Sequence, residues 1–265
     1  MTRFAHLAIA TGALFAAMPA QAADFVISTA TGTSNGKTIT DGTAYNTVNY
    51  AVKSSDGKST LNVRATAWTL LTNGVYQTAT IASWGANGLG IYQTNESGTN
   101  THQIDNVNGW EFLVLQFDQA VSLQSAVLTP FALGTNRYTD NDAFIARGYS
   151  GFGTAMNATT LKSLADGLNM NTGKQSGDAW FNSDSTNYSG NKQTYNLSPS
   201  QGGNVWVIGG SYRGPDGLND AFKLNSIAVT SAVPEPTTWM TMILGFGMIG
   251  AAARRRRSSS KAALA

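Results

Sequence analysis

Apolar and polar positions alternate with a period of two along much of the middle of the chain. Leu61, Val63, Ala65 and Ala67 alternate with Asn62, Arg64, Thr66 and Trp68, which predicts a strand with one buried face. Glu111–Phe117 is instead nearly continuous, with Phe112, Leu113, Val114 and Leu115 in a row, as expected of a strand covered on both faces. Val121–Thr129 follows Asp118-Gln119-Ala120, and these three residues predict a hairpin turn between two strands. Phe25–Ser28, Tyr45–Lys53, Val75–Ser83, Ala143–Tyr149, Val205–Gly209 and Phe222–Thr230 are further strand candidates. Asn73-Gly74, Asn87-Gly88, Asn108-Gly109 and Asp216-Gly217 supply turn chemistry between them. Thr160–Leu168 alone predicts a short helix, and no internal repeat is visible. Short, evenly spaced strands predict an all-β fold, a single antiparallel β sandwich of jelly-roll type.

The two ends follow other patterns. Residues 1–22 have one early cation, Arg3, then an apolar run through Leu7, Ile9, Leu14, Phe15 and Met18. Ala20 and Ala22 place small side chains at the −3 and −1 positions of a signal-peptidase site, so cleavage is expected after Ala22. Pro19 breaks any helix just before that site and leaves extended backbone for the protease. At the other end, Pro234-Glu235-Pro236 is rigid and extended. Trp239–Ala253 is apolar apart from Thr241, and Arg254, Arg255, Arg256 and Arg257 follow. A helix over 239–253 would rise roughly 22 Å. That falls short of a hydrocarbon core of about 30 Å. Trp239 at one interface and snorkelling arginines at the other would extend its reach. Four arginines hold their end in the cytoplasm, whereas the leader sends everything before Pro234 out, so the two topology signals agree. The expected organisation is a signal peptide (1–22), a β domain (23–232), a terminal signal with a transmembrane helix (233–257) and a short tail (258–265).

Pro-Glu-Pro-Thr-Thr-Trp, a glycine-punctuated apolar span and a terminal arginine cluster together resemble the PEP-CTERM sorting signal. More narrowly, they resemble its form with tryptophan three residues after the second proline, here with Met240 where alanine is usual. The resemblance implies a Gram-negative bacterium that makes exopolysaccharide. It also implies recognition and cleavage near Pro234–Pro236 by an exosortase, a membrane cysteine transpeptidase-like enzyme, with this chain as its substrate. On that reading the protein passes through the inner membrane as a sorting intermediate and ends at the cell surface or in the extracellular matrix. A second likeness covers Ile104–Tyr149, where Asp105-Asn106 precedes a strand and Asp140-Asn141-Asp142 precedes another. This stretch resembles the ectodomain of exosortase-dependent surface proteins, for which no enzymatic activity is implied.

Composition narrows the chemistry. With no cysteine, disulfides and cysteine-ligated metals are excluded. Between Asp24 and Ser231 there are 11 basic and 14 acidic residues, a balance that argues against nucleic acid as a partner of the domain. The histidine beyond the leader is His102, in a polar stretch read as a solvated loop, so a Ser-His-Asp triad or a multi-histidine zinc site has little to build on. Glu96 and Glu111 are the glutamates available for a glycosidase pair. The Gly-x-x-Gly-x-Gly of Gly85–Gly90 lacks the following Lys-Ser/Thr of a phosphate cradle. Asp140, Asn141 and Asp142, and again Asp216, Asn219 and Asp220, cluster hard oxygens. Turn formation is the simpler reading of such clusters, and calcium bound at Asp140 and Asp142 is the alternative. Trp84, Trp110, Trp180 and Trp206 pack into the core on the simpler reading and form a sugar-stacking platform on the other, with Trp180 the most loop-like. The expected function is that of a non-enzymatic surface or matrix protein associated with exopolysaccharide, biofilm or floc. The rival is a secreted carbohydrate-active enzyme, or a calcium-dependent carbohydrate-binding module, that uses the same signal.

Overall fold

The computed structural model describes residues 22–93, 102–132, 138–139, 142–153, 156–167, 179–181, 187–188, 191–197, 202–211, 219–231, 242–243 and 245–250. The chain divides into two units, one of Ala22–Ala232 and one of the two terminal segments. The larger unit is mostly β. Its strands begin with β1 (Asp24–Ser28), β2 (Thr33–Ser34), β3 (Lys37–Thr38), β4 (Thr43–Tyr45), β5 (Val48–Lys53) and β6 (Thr60–Leu70). They continue with β7 (Tyr76–Ser83), β8 (Leu89–Tyr92), β9 (Ile104–Asp105), β10 (Trp110–Pro130), β11 (Tyr138–Thr139) and β12 (Ala143–Gly148). After the helix α1 (Ala158–Gly167) come β13 (Ala179–Phe181), β14 (Asn187–Tyr188), β15 (Gln193–Asn196), β16 (Gly203–Gly210) and β17 (Ala221–Ser231).

All described pairings are antiparallel, as expected, but the strands do not divide into the two sheets of a jelly-roll sandwich. All but β11 and β14, which pair with each other, join in one sheet that closes on itself through β6, β7, β8, β17 and β10, a small five-stranded barrel with extra strands at its margins. β10 makes the closure possible. Its first half pairs with β6 (Phe112↔Trp68) on one side and with β16 (Phe112↔Gly209) on the other. Its second half pairs with β17 (Leu123↔Val229) and β15 (Ala126↔Tyr195). The expected hairpin at Asp118-Gln119-Ala120 is therefore absent, and one 21-residue strand runs through these residues. The register along β16 shifts between Gln116 and Val121, where the strand passes from its first set of partners to its second. Asp118 is polar because it is exposed there, and its carboxylate accepts from the Asn62 backbone N–H (3.2 Å) and Nδ2 (2.7 Å).

Two apolar clusters lie on opposite faces of the first half of β10. Leu113, Leu115 and Phe117 join Leu61, Val63, Ala65, Ile81, Leu89, Ile91, Phe222 and Leu224 in the core of the ring. Phe112 and Val114 face the other way, against Trp68, Trp110, Phe144, Val207, Met156 and Leu161 of α1. A run buried on both faces is what the unbroken apolar sequence predicted. Trp110 packs edge-on against Phe144 with centroids 5.4 Å apart, and its indole N–H donates to the Gly210 carbonyl. Full burial of each such ring contributes roughly 2–3 kcal/mol.

Candidate functional site

A cavity of about 700 Å³ is a groove on the face of β6, β7 and β8 opposite the ring core. Alternation puts it there. Ala65, Ala67, Ala79 and Ile81 belong to the core cluster, so Thr66, Trp68, Thr78 and Thr80 project from the other face. Asn46 and Thr47, between β4 and β5, join them, as do Tyr92 and Gln93 at the end of β8 and Met156 ahead of α1. The described lining carries no charged side chain. The Trp68 indole N–H donates to Thr66 Oγ1 (3.1 Å), and the Thr80 hydroxyl donates to the Tyr92 carbonyl (3.4 Å).

Behind Tyr92 stands an aromatic ladder. His102 is half-buried, and its ring lies 4.1 Å from Tyr92 and 5.0 Å from Trp84, nearly parallel to the latter. Its Nε2 is 3.3 Å from the Tyr92 hydroxyl. The reading of His102 as a solvated loop residue is thus corrected: the chain following it pairs with β8 through Ile91 N–H to Gln103 O (3.2 Å). Gly90 permits this approach, since a Cβ there would sit 1.6 Å from the His102 carbonyl oxygen. Beyond Trp84, the Lys223 ammonium lies 5.4 Å from the indole and 3.4 Å from the Phe131 ring centroid. Burial pulls the Lys223 amine down to about 8, since the charged form loses water.

A second polar centre is buried at one end of the ring. Asp220, fully buried just before β17, accepts from Asn106 Nδ2 (2.6 Å), Ser211 N–H (3.1 Å) and Asp142 N–H (3.0 Å). Asn106 Oδ1 in return accepts the Asp220 backbone N–H (3.0 Å). Next to it, Asp105 Oδ1 accepts the Val107 N–H (3.0 Å), and Glu111 Oε2 accepts the Asp105 N–H (3.2 Å). Burial raises the Asp105 carboxyl to about 6, partly offset by the Val107 bond. The structure thus ties Asn106 and Asp142, one from each of the two motifs of the Ile104–Tyr149 likeness, to one carboxylate. The sequence groups Asp220 only with its near neighbours Asp216 and Asn219, and nothing local marks it as this hub.

The other sequence-selected residues fall as follows. Asp142 is fully buried, and Asp140 lies outside the described residues, as do Asn141, Asp216 and Glu96. Among the described residues no three His, Cys, Asp or Glu side chains converge to hold a metal ion. Trp110 and Trp206 are core residues, and Trp84 is half-buried. Trp180 is not in a loop but in β13, opposite Phe144 of β12 at the end of the sheet path, and its side chain is outside the described residues. Of the signal-peptidase pair, Ala22 is exposed and Ala20 lies outside them. Pro234, Glu235, Pro236, Trp239 and Arg254, Arg255, Arg256 and Arg257 also lie outside them. Residues 242–243 and 245–250 are helical, with Ile243, Phe246, Met248 and Ile249 exposed. Among the described residues no helix is long and apolar enough to cross a membrane.

No curated protein and no solved structure matches the chain. One family model does, and it covers residues 232–257, the stretch that holds the Pro-Glu-Pro triplet, the apolar run and the four arginines. The chain carries a PEP-CTERM protein-sorting motif at its C-terminal end, which makes it an exported protein sorted to the cell surface by an exosortase.

Proposed function

We propose that the β domain is a non-enzymatic component of a Gram-negative cell surface or extracellular matrix, in contact with exopolysaccharide and delivered there by exosortase cleavage near Pro234–Pro236. The observation that carries the reading is the sorting motif at residues 232–257, directly after the domain's last strand, β17. The inner membrane is then a transient station, held by Arg254–Arg257 because moving arginines through hydrocarbon is costly. The chemistry of the domain supports a scaffold: the buried Asp220 carboxylate ties Asn106, Asp142 and Ser211 together, and the buried Glu111 accepts the Asp105 backbone N–H.

Intact-mass and fractionation measurements on the native protein test this, beside a strain lacking exosortase. The mature chain is expected to lack Met1–Ala22 and everything beyond the Pro234–Pro236 region. Replacing Pro234, Glu235 and Pro236 with alanine is expected to leave export intact but to hold uncut protein in the membrane fraction. Native mature protein that retains Trp239–Ala253 in cells with active exosortase would refute cleavage and leave a plain C-terminal anchor.

A further inference from the structure

We infer that the groove on β6, β7 and β8 is a binding site for an uncharged oligosaccharide segment. Its volume of about 700 Å³ is in the range of small-ligand sites. Its described lining holds four threonines, an asparagine, a glutamine, two aromatic residues, two alanines and a methionine, with no acid or base to match an ionic ligand. Threonine hydroxyls and side-chain amides both donate and accept, which suits a ligand studded with hydroxyls. Asn46, Thr47 and Thr78 are not engaged by side-chain hydrogen bonds with other described residues, and Asn46 and Thr78 are exposed. Thr66 Oγ1 accepts from Trp68, and its hydroxyl keeps a proton to donate. Tyr92 is held from behind by His102, and a ring fixed in this way offers contact area at low entropic cost.

A peptide fits this surface less well. An added peptide strand needs an exposed sheet edge. Along the floor, β6 is paired on both sides, with β5 and β7 on one and β10 on the other; β7 pairs with β6 at Tyr76–Ala79 and with β8 at Thr80–Ser83, so the central strand β6 offers no edge. The described side chains there are neutral, with hydroxyls and amides set beside Trp68, Tyr92 and Met156. The inference deepens the proposed function by naming the ligand class, yet it needs no sorting event.

The test uses the chain without its signal peptide, in a zwitterionic detergent with no sugar headgroup. Isothermal titration calorimetry is run with cellohexaose, maltohexaose, laminarihexaose and chitohexaose. Hexamers of galacturonate and mannuronate serve as anionic counterparts, and a neutral Ser/Thr-rich peptide as the peptide counterpart. At least one neutral hexamer is expected to bind with sub-millimolar Kd, and the anionic hexamers and the peptide at least about tenfold more weakly. Thr78→Arg, at an exposed position, is expected to weaken binding at least about tenfold with an unchanged Tm, and Asn46→Ala by a smaller factor. Lys37→Ala on β3 is expected to change nothing. Absence of binding by all four neutral hexamers, equal binding of the anionic hexamers or the peptide, or full affinity in Thr78→Arg overturns the inference. None of these outcomes bears on cleavage at Pro234–Pro236, so a failure here and a failure of sorting are told apart.

Discussion

Asp105 should make the domain's stability fall as the pH rises through the weakly acidic range. The residue is 2% exposed on β9, and burial raises its carboxyl from 3.8 to about 6. The folded chain therefore holds the proton more tightly than the unfolded chain does. Below about pH 4 the group is protonated in both states, and the stability associated with the neutral form is fully present. As the pH rises through about 6 that stability is lost, because the folded chain must then keep a poorly solvated charge. A gap of about two pKa units corresponds to about 3 kcal/mol. Asp105→Asn keeps an oxygen for the Val107 N–H and removes the charge. Its stability relative to wild type should be near zero at pH 4 and rise by about 2–3 kcal/mol by pH 8. Urea unfolding followed by tryptophan fluorescence at intervals across this range measures the difference, with the buried Trp68, Trp110 and Trp206 as reporters. Subtracting variant from wild type isolates Asp105 from the other titrating groups, apart from its neighbour Glu111. A difference that does not change with pH would refute the reasoning.

Three further outcomes follow from the same structure. Leu113→Asp puts a charge at a position that is fully buried between β6 and β16, and should cost more than about 4 kcal/mol, seen as loss of cooperative melting by circular dichroism. Gly90→Ala places a methyl group against the His102 carbonyl and should destabilise by about 1–3 kcal/mol while shifting the fluorescence of Trp84, whose ring stacks on His102. Replacing Arg254–Arg257 with serine should weaken the membrane stop, so that uncut chain appears in the soluble exported fraction of cells lacking exosortase.

Much of the local structure was legible because it is set by neighbours in the chain. The alternation around Leu61–Ala67 became β6, the unbroken run at Phe112–Leu115 became a strand covered on both faces, and the helix expected at Thr160–Leu168 overlaps α1 up to Gly167, Leu168 lying outside the described residues. Asn73-Gly74 turns as expected, with Gly74 at φ 82° and Asn73 Oδ1 accepting the Val75 N–H (3.1 Å). Shorter pieces escaped notice. Leu89–Tyr92 has only four residues, two of them core and one a glycine, too few to show a period. The terminal address was plainer still, since its Pro-Glu-Pro triplet, apolar run and arginines follow one another directly in the chain.

The larger arrangement was decided by pairing between residues far apart. Periodicity tells which face of a strand is buried but not which strand covers it, so a ring closed by β10 and a two-sheet sandwich predict the same alternation. Asp118 and Gln119 looked like a turn because both are polar, and only the partners on either side of β10 show that the strand continues through them. Asp220 binds Asn106, 114 residues away, and Asp142, 78 residues away. No local signal separates such a carboxylate from one that serves a turn. The groove is likewise a product of register: Thr78 stands opposite Trp68, and Thr80 opposite Tyr92, only because β7 pairs with β6 and β8 in that alignment. The sequence determined the strands, the turns and the address; the tertiary pairing determined the barrel, the buried polar hub and the groove, because those depend on which distant surfaces meet.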